Sequence, residues 1–173
     1  MPMSQATSIQ RSAALAVTLI AAATIAAAWG FELIGGYVPC ALCLQERIPY
    51  YIGAPVALAA LIASLIAVPA WLPRLLLVAA ALVFAHGAYL GIYHAGAEWD
   101  FWPGPTDCSA GSAPATTTAA DILSQIENMR IVSCTEASWR FPADWGLSFA
   151  GWNAAVSVLL VLVALWGAVR KAP

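Results

Sequence analysis

The chain has 173 residues, 62% of them hydrophobic and 9% charged, with a formal net charge of −2. A soluble domain carries about 25% charged residues, so these side chains are too few to cover a water-facing surface, and the composition implies lipid as the main solvent. Seven basic residues set against nine acidic ones leave no basic patch for a nucleic acid.

Four stretches lack Asp, Glu, Lys and Arg, and each reaches the roughly 20 residues that a helix needs to cross about 30 Å of hydrocarbon. The spans are expected at about 12–31, 48–68, 75–96 and 147–169, with outer loops at about 32–47 and 97–146. The whole chain, 1–173, then forms one transmembrane domain. The run Ala26-Ala27-Ala28 inside the first span could satisfy a small-residue signal-cleavage site, but the apolar run exceeds the 7–15 residues usual for a signal peptide, so the span is read as an anchor. Arg11, Arg74, Arg170 and Lys171 flank the spans on one side without an acidic neighbour. All nine acidic residues fall on the other side, with Arg47, Arg130 and Arg140. Basic residues near span ends mark the inner face, which places both termini in the cytoplasm.

The first outer loop carries Cys40 and Cys43 in a C-x-x-C. Pro39 is a favoured first-turn residue, and a helix beginning there sets Cys40, Cys43 and Arg47 on one face. Cys43 then lies in the first turn, where the helix dipole favours an anion, and Arg47 adds a full charge four residues on. Both influences lower a thiol pKa, which is how reactive cysteines are made. Pro49 allows a second reading, in which the helix restarts there. The third span contains His86, read as a buried polar contact between helices, and His94 at its outer end, within reach of a bound carbonyl.

The second outer loop holds Cys108 and Cys134. Its middle, 109–118, is small and polar, the composition of a mobile linker. A capping-box-like start at Thr118 and Asp121 is followed by Ile122, Leu123, Ile126 and Met129 at helical spacing, which predicts a short amphipathic helix at the interface. Trp99, Phe101, Trp102, Trp139, Trp145 and Trp152 gather at the same boundary and are read mostly as interfacial anchors. Four cysteines outside the cytoplasm read as two bridges. Two other readings stay open at this point: a structural scaffold whose disulfides never turn over, and a four-thiolate zinc site. The zinc reading is weakened by the 25 residues that separate Cys108 from Cys134, where such sites use two close C-x-x-C hairpins. No metal is therefore assigned.

The block Pro39-Cys40-Ala-Leu-Cys43-Leu-Gln-Glu46-Arg47 resembles the P-C-x-L-C-x-x-E-R signature of the bacterial disulfide bond formation protein B (DsbB) family. Tyr93-His94, Trp102-Pro-Gly-Pro and Cys108 resemble the start of that family's second outer loop, and Cys134-Thr-Glu136-Ala-Ser-Trp139-Arg-Phe141 with Gly146-Leu-Ser resembles its end. The resemblance implies an all-α, integral membrane four-helix bundle in the inner membrane, with the long loop periplasmic. It implies an enzyme that reoxidises a DsbA-like periplasmic thioredoxin-fold thiol oxidase at the expense of ubiquinone or menaquinone. On the same ground the disulfides are Cys40–Cys43 and Cys108–Cys134. Cys108 meets the partner's thiolate, Cys40 and Cys43 receive the electrons next, and Cys43 contacts the quinone with Arg47 beside it. The loop between Cys108 and Cys134 departs from the family in being Ala/Thr-rich. A vitamin K epoxide reductase-like quinone reductase is the enzymatic rival, but that family places its active C-x-x-C late in the chain.

Overall fold

The structure is a computed structural model that describes residues 8–66, 68–105, 130–143 and 145–170. Four long apolar helices make up most of it: α1 (Ser8–Leu33), α2 (Ala41–Leu65), α3 (Trp71–Glu98) and α4 (Phe149–Val169). Each is long and apolar enough to cross a membrane. At 1.5 Å per residue the shortest, with 21 residues, spans about 31 Å. The helices form a square bundle in which α1 and α3 both pack on α2 and α4. The predicted amphipathic helix, the 109–118 linker and Cys108 lie outside the described residues.

Helix–helix contact in lipid gains little from the hydrophobic effect and depends on close approach, so small residues collect at the seams. The core is accordingly alanine-rich, with Ala14, Ala21, Ala57, Ala60, Ala80 and Ala164 buried around Val17, Leu77, Phe84 and Leu160. Larger apolar side chains such as Leu19, Leu82 and Leu162 face outward, where lipid replaces water. His86 also faces outward, beside Tyr89 at a ring distance of 6.3 Å. The expectation of a buried interhelical contact for it is therefore corrected. It lies on the lipid-facing stripe of α3.

The second helix begins at Ala41 and runs through Pro49 and Pro55 without restarting. The start expected near Pro39 is thus found and the restart at Pro49 is not; Glu46 and Arg47 lie inside the helix, neutralised in place rather than expelled to water. Pro49 removes one backbone donor and adds a ring. A Cβ at Gly87 on α3 would come within 3.1 Å of that ring, so glycine there leaves room for it.

Two short strand pairs close the outer end. β1 (Tyr37–Val38) pairs in parallel with β2 (Arg130–Ile131), setting Val38 opposite Ile131. The Val132 N–H then donates to the Val38 carbonyl at 3.1 Å. β3 (Arg140–Phe141) pairs antiparallel with β4 (Leu147–Ser148). A Cβ at Gly146 would overlap the Phe141 carbonyl oxygen, so this hairpin requires glycine. Ser148 caps α4 by accepting from the Gly151 N–H at 3.1 Å, and its hydroxyl donates to Glu98 at the end of α3. That contact ties the outer ends of α3 and α4 together.

Candidate active site

The register of β1 and β2 decides which sulfurs meet. Two residues beyond Val38 comes Cys40, and three beyond Ile131 comes Cys134. Both are 1% exposed and pack together with Leu42. The Cys40 sulfur, the Cys134 sulfur and a His94 ring nitrogen all lie within 4.8 Å of one another. Cys40 and Cys43 are free thiols, while Cys134 is held in a disulfide. Three such ligand atoms are a spacing that a metal can use, but a disulfide sulfur is no thiolate ligand, so the donor set as it stands does not suit zinc.

Cys40 is the N-cap of α2, and its sulfur accepts the Cys43 N–H at 3.1 Å. Cys43 is the third residue of α2, in the first turn as the spacing from Pro39 suggests, while the N-cap position, whose side chain accepts a first-turn N–H, belongs to Cys40. The Cys40 thiol is pulled down from 9.0 to about 5. The hydrogen bond from the Cys43 thiol does most of this, burial works against it, and His94 and the Cys43 backbone assist. His94 Nε2 stands 4.0 Å from the Cys40 sulfur, and its Nδ1 is 2.8 Å from a Glu46 oxygen. The Glu46–His94 pair is buried, the usual condition for ionisable groups at membrane depth.

Beside this cluster is a cavity of about 250 Å3 between α1, α2 and α4, lined by Cys43, Glu46, Arg47, Tyr50, Asn153 and Phe31 among others. Its outer wall is aromatic. Phe149 stacks on Trp139 at 4.7 Å and meets Phe31 and Tyr37 edge-on at 4.9 and 5.4 Å. Arg47 is held by an ion pair with Glu32 and lies over the Trp29 ring at 5.5 Å. The Tyr50 hydroxyl donates to Asn153 Oδ1 at 2.8 Å, which fixes the amide. The Asn153 Nδ2 lies beside Glu46 but completes no hydrogen bond, leaving a buried donor in the cavity wall. A buried donor without a partner is uncommon and calls for an acceptor.

These placements sort the expected residues. Cys43 and Arg47 line the cavity together; Cys40, Cys134 and His94 form the cluster behind them, and His94 is not part of the lining. Glu32, Glu46, Asn153, Trp139 and Trp152 are not singled out as site residues by the sequence, and all five line the cavity. For Glu46 a signal is available: once the helix is allowed to start at Pro39, it is an ionisable residue inside a span, which marks function by default.

A family model described as disulfide bond formation protein DsbB matches residues 10–167, nearly the whole chain. No curated protein matches the chain, and no solved structure does.

Proposed function

The chain belongs to the DsbB family and is a membrane disulfide oxidoreductase, and we propose that it relays electrons from a DsbA-like periplasmic dithiol protein, through its two cysteine pairs, to a membrane quinone. The observation that carries this reading is the position of Cys40: its sulfur is within 4.8 Å of Cys134, and its C-x-x-C mate Cys43 lines the cavity.

Disulfide exchange proceeds by thiolate attack through mixed disulfides. The partner's thiolate attacks Cys108 in the Cys108–Cys134 bridge and releases Cys134. The partner's second thiol resolves the mixed disulfide and leaves with a disulfide of its own. Cys134 attacks Cys40 in the Cys40–Cys43 bridge, and Cys43 departs as a thiolate at the cavity. Cys108 then attacks Cys134, restoring the outer bridge and releasing Cys40 into its N-cap. A low thiol pKa makes a good leaving group, which suits Cys40 to this step. Free Cys40 and Cys43 beside a bridged Cys134 match the arrangement that this sequence ends on.

The cavity suits a quinone ring. Its outer wall is aromatic and much of the rest is aliphatic, and the unpaired Asn153 amide and the Arg47 guanidinium are donors from which a carbonyl oxygen can accept. A bound quinone, ubiquinone or menaquinone, supplies an acceptor for two electrons and two protons, which is what two thiols give up on forming a disulfide. Cys43 would face that acceptor, Arg47 and Asn153 would orient it, and the aromatic wall would keep water away. In this reading the long loop is periplasmic and both termini are cytoplasmic.

The test is Cys108→Ser. The variant should fail to oxidise a reduced dithiol partner, yet its Cys40–Cys43 dithiol, produced chemically, should still reduce added quinone. Partner oxidation at the normal rate in this variant would overturn the two-pair order.

A further inference from the structure

Cys40 is needed for the inner disulfide but lies outside the cavity lining, and it is 1% exposed. Its proton therefore lacks a direct way out to water or to the acceptor. Cys43 has no such difficulty, since it lines the cavity. Between Cys40 and the cavity stand two side chains in line. His94 Nε2 is 4.0 Å from the sulfur, His94 Nδ1 is 2.8 Å from Glu46, and Glu46 lines the cavity.

We propose that His94 and Glu46 form a proton relay that carries the Cys40 proton to the quinone cavity, a step that rests on the quinone reading above. His94 holds the proton given up by the Cys40 thiol at Nε2. As the Cys40–Cys43 bond forms, it releases the Nδ1 proton to a Glu46 oxygen, and Glu46 yields it to the acceptor oxygen. Two S–H bonds break and one S–S bond forms; two electrons and two protons end on the quinone, the second proton being that of Cys43. The ring takes up a proton again when Cys40 is next released beside it as a thiolate.

The geometry favours transfer over a merely structural bond. The histidine is 1% exposed and engages a different residue at each nitrogen, which fixes the ring between donor and acceptor. The line draws on two helices, with Cys40 and Glu46 at one end of α2 and His94 at the outer end of α3. Among the described residues, the other titratable or charged groups around it are Cys43 at the sulfur end, Glu98 one turn beyond His94, and Tyr50 and Arg47 at the cavity; Cys134, also beside the sulfur, is bridged and does not titrate.

Glu46→Gln retains an oxygen for the His94 N–H but cannot carry a proton. Two readings are taken on it. In reduced, quinone-free protein, alkylation of Cys40 by iodoacetamide is followed by mass spectrometry. In the second, reduction of a short-chain ubiquinone analogue by the Cys40–Cys43 dithiol is followed by stopped flow. The relay predicts slower Cys40 alkylation, because His94 loses the anion that helps it hold the proton. It also predicts quinone reduction slowed about 100-fold, the usual share of a positioned proton carrier. Glu46→Asp should recover part of both, and His94→Gln should reproduce both losses should the Glu46→Gln protein fail to assemble. Normal values for either reading in folded Glu46→Gln protein would overturn the relay. Wild-type protein that did not reduce the analogue at all would instead remove the quinone reading on which the relay stands.

Discussion

Cys40 combines three influences that no property of its sequence position announces on its own: an N-cap, a thiol donor one turn on, and a histidine from another helix. Only the thiolate attacks carbon or sulfur, so its titration can be read from reactivity. Because the thiol is lowered from 9.0 to about 5, alkylation of Cys40 should be nearly constant through neutral pH. It should fall by about tenfold per pH unit below that point. A rate that kept rising through the ordinary thiol range near 8.5 would contradict the assignment. Arg47 makes a second residue-scale case. The sequence shows its charge beside Cys43 but not Glu32, which pairs with it, or Trp29, which lies against its face. Arg47→Ala both removes a donor and leaves a carboxylate in the cavity wall. Loss of such a charge-assisted contact costs about 1.5–3 kcal/mol, or roughly ten- to a hundredfold in apparent quinone KM. Arg47→Lys should fall between, since the charge survives but the planar fork does not. Unchanged kinetics in both would make Arg47 a simple interface residue.

At the scale of elements, the helices are legible because charge is absent from four long stretches, and lipid tolerates little else. The start of the second span is not, because a charged residue is expected to end an apolar helix, which assigns Glu46 and Arg47 to a loop. Pairing across helices changes the sign of that argument, since His94 and Glu32 come from α3 and α1, far away in sequence. The β1–β2 pairing is equally hidden, as two-residue strands carry no periodicity. The Ser148 cap is hidden within the family-like Gly146-Leu-Ser. Ser148→Ala removes the cap of α4 and the hydroxyl that meets buried Glu98. A cap is worth about 1 kcal/mol and a buried partner left unsatisfied about 1–3. The variant should show a lower midpoint of thermal unfolding in detergent, with cysteine chemistry intact in the folded fraction. An unshifted midpoint would mean that α3 and α4 do not depend on this tie.

For the whole molecule, the bundle places the cysteine chemistry at one end and Arg11, Arg74 and Arg170 at the other. At the far end Arg11 donates to the Ser64 carbonyl at 2.8 Å, near the end of α2. The cysteine pairs, the signature and the expected sidedness can be read from residues in order along the chain. The cavity cannot, because it exists only where α1, α2 and α4 meet and the aromatic residues around Phe149 close over it. Trp139 and Trp152, from the group of aromatic residues read mostly as interfacial anchors, also line that cavity. The same assembly brings a loop cysteine against a helix-capping cysteine, the juncture that the proposed relay from a soluble partner to a lipid-dissolved acceptor requires. The most direct test of that account is stopped-flow absorbance of quinone-loaded protein mixed with a reduced dithiol partner. Wild-type protein should reduce the quinone as the partner is oxidised, while Cys43→Ser should open the Cys108–Cys134 bridge and leave the quinone oxidised. Quinone reduction at the wild-type rate in Cys43→Ser would contradict it.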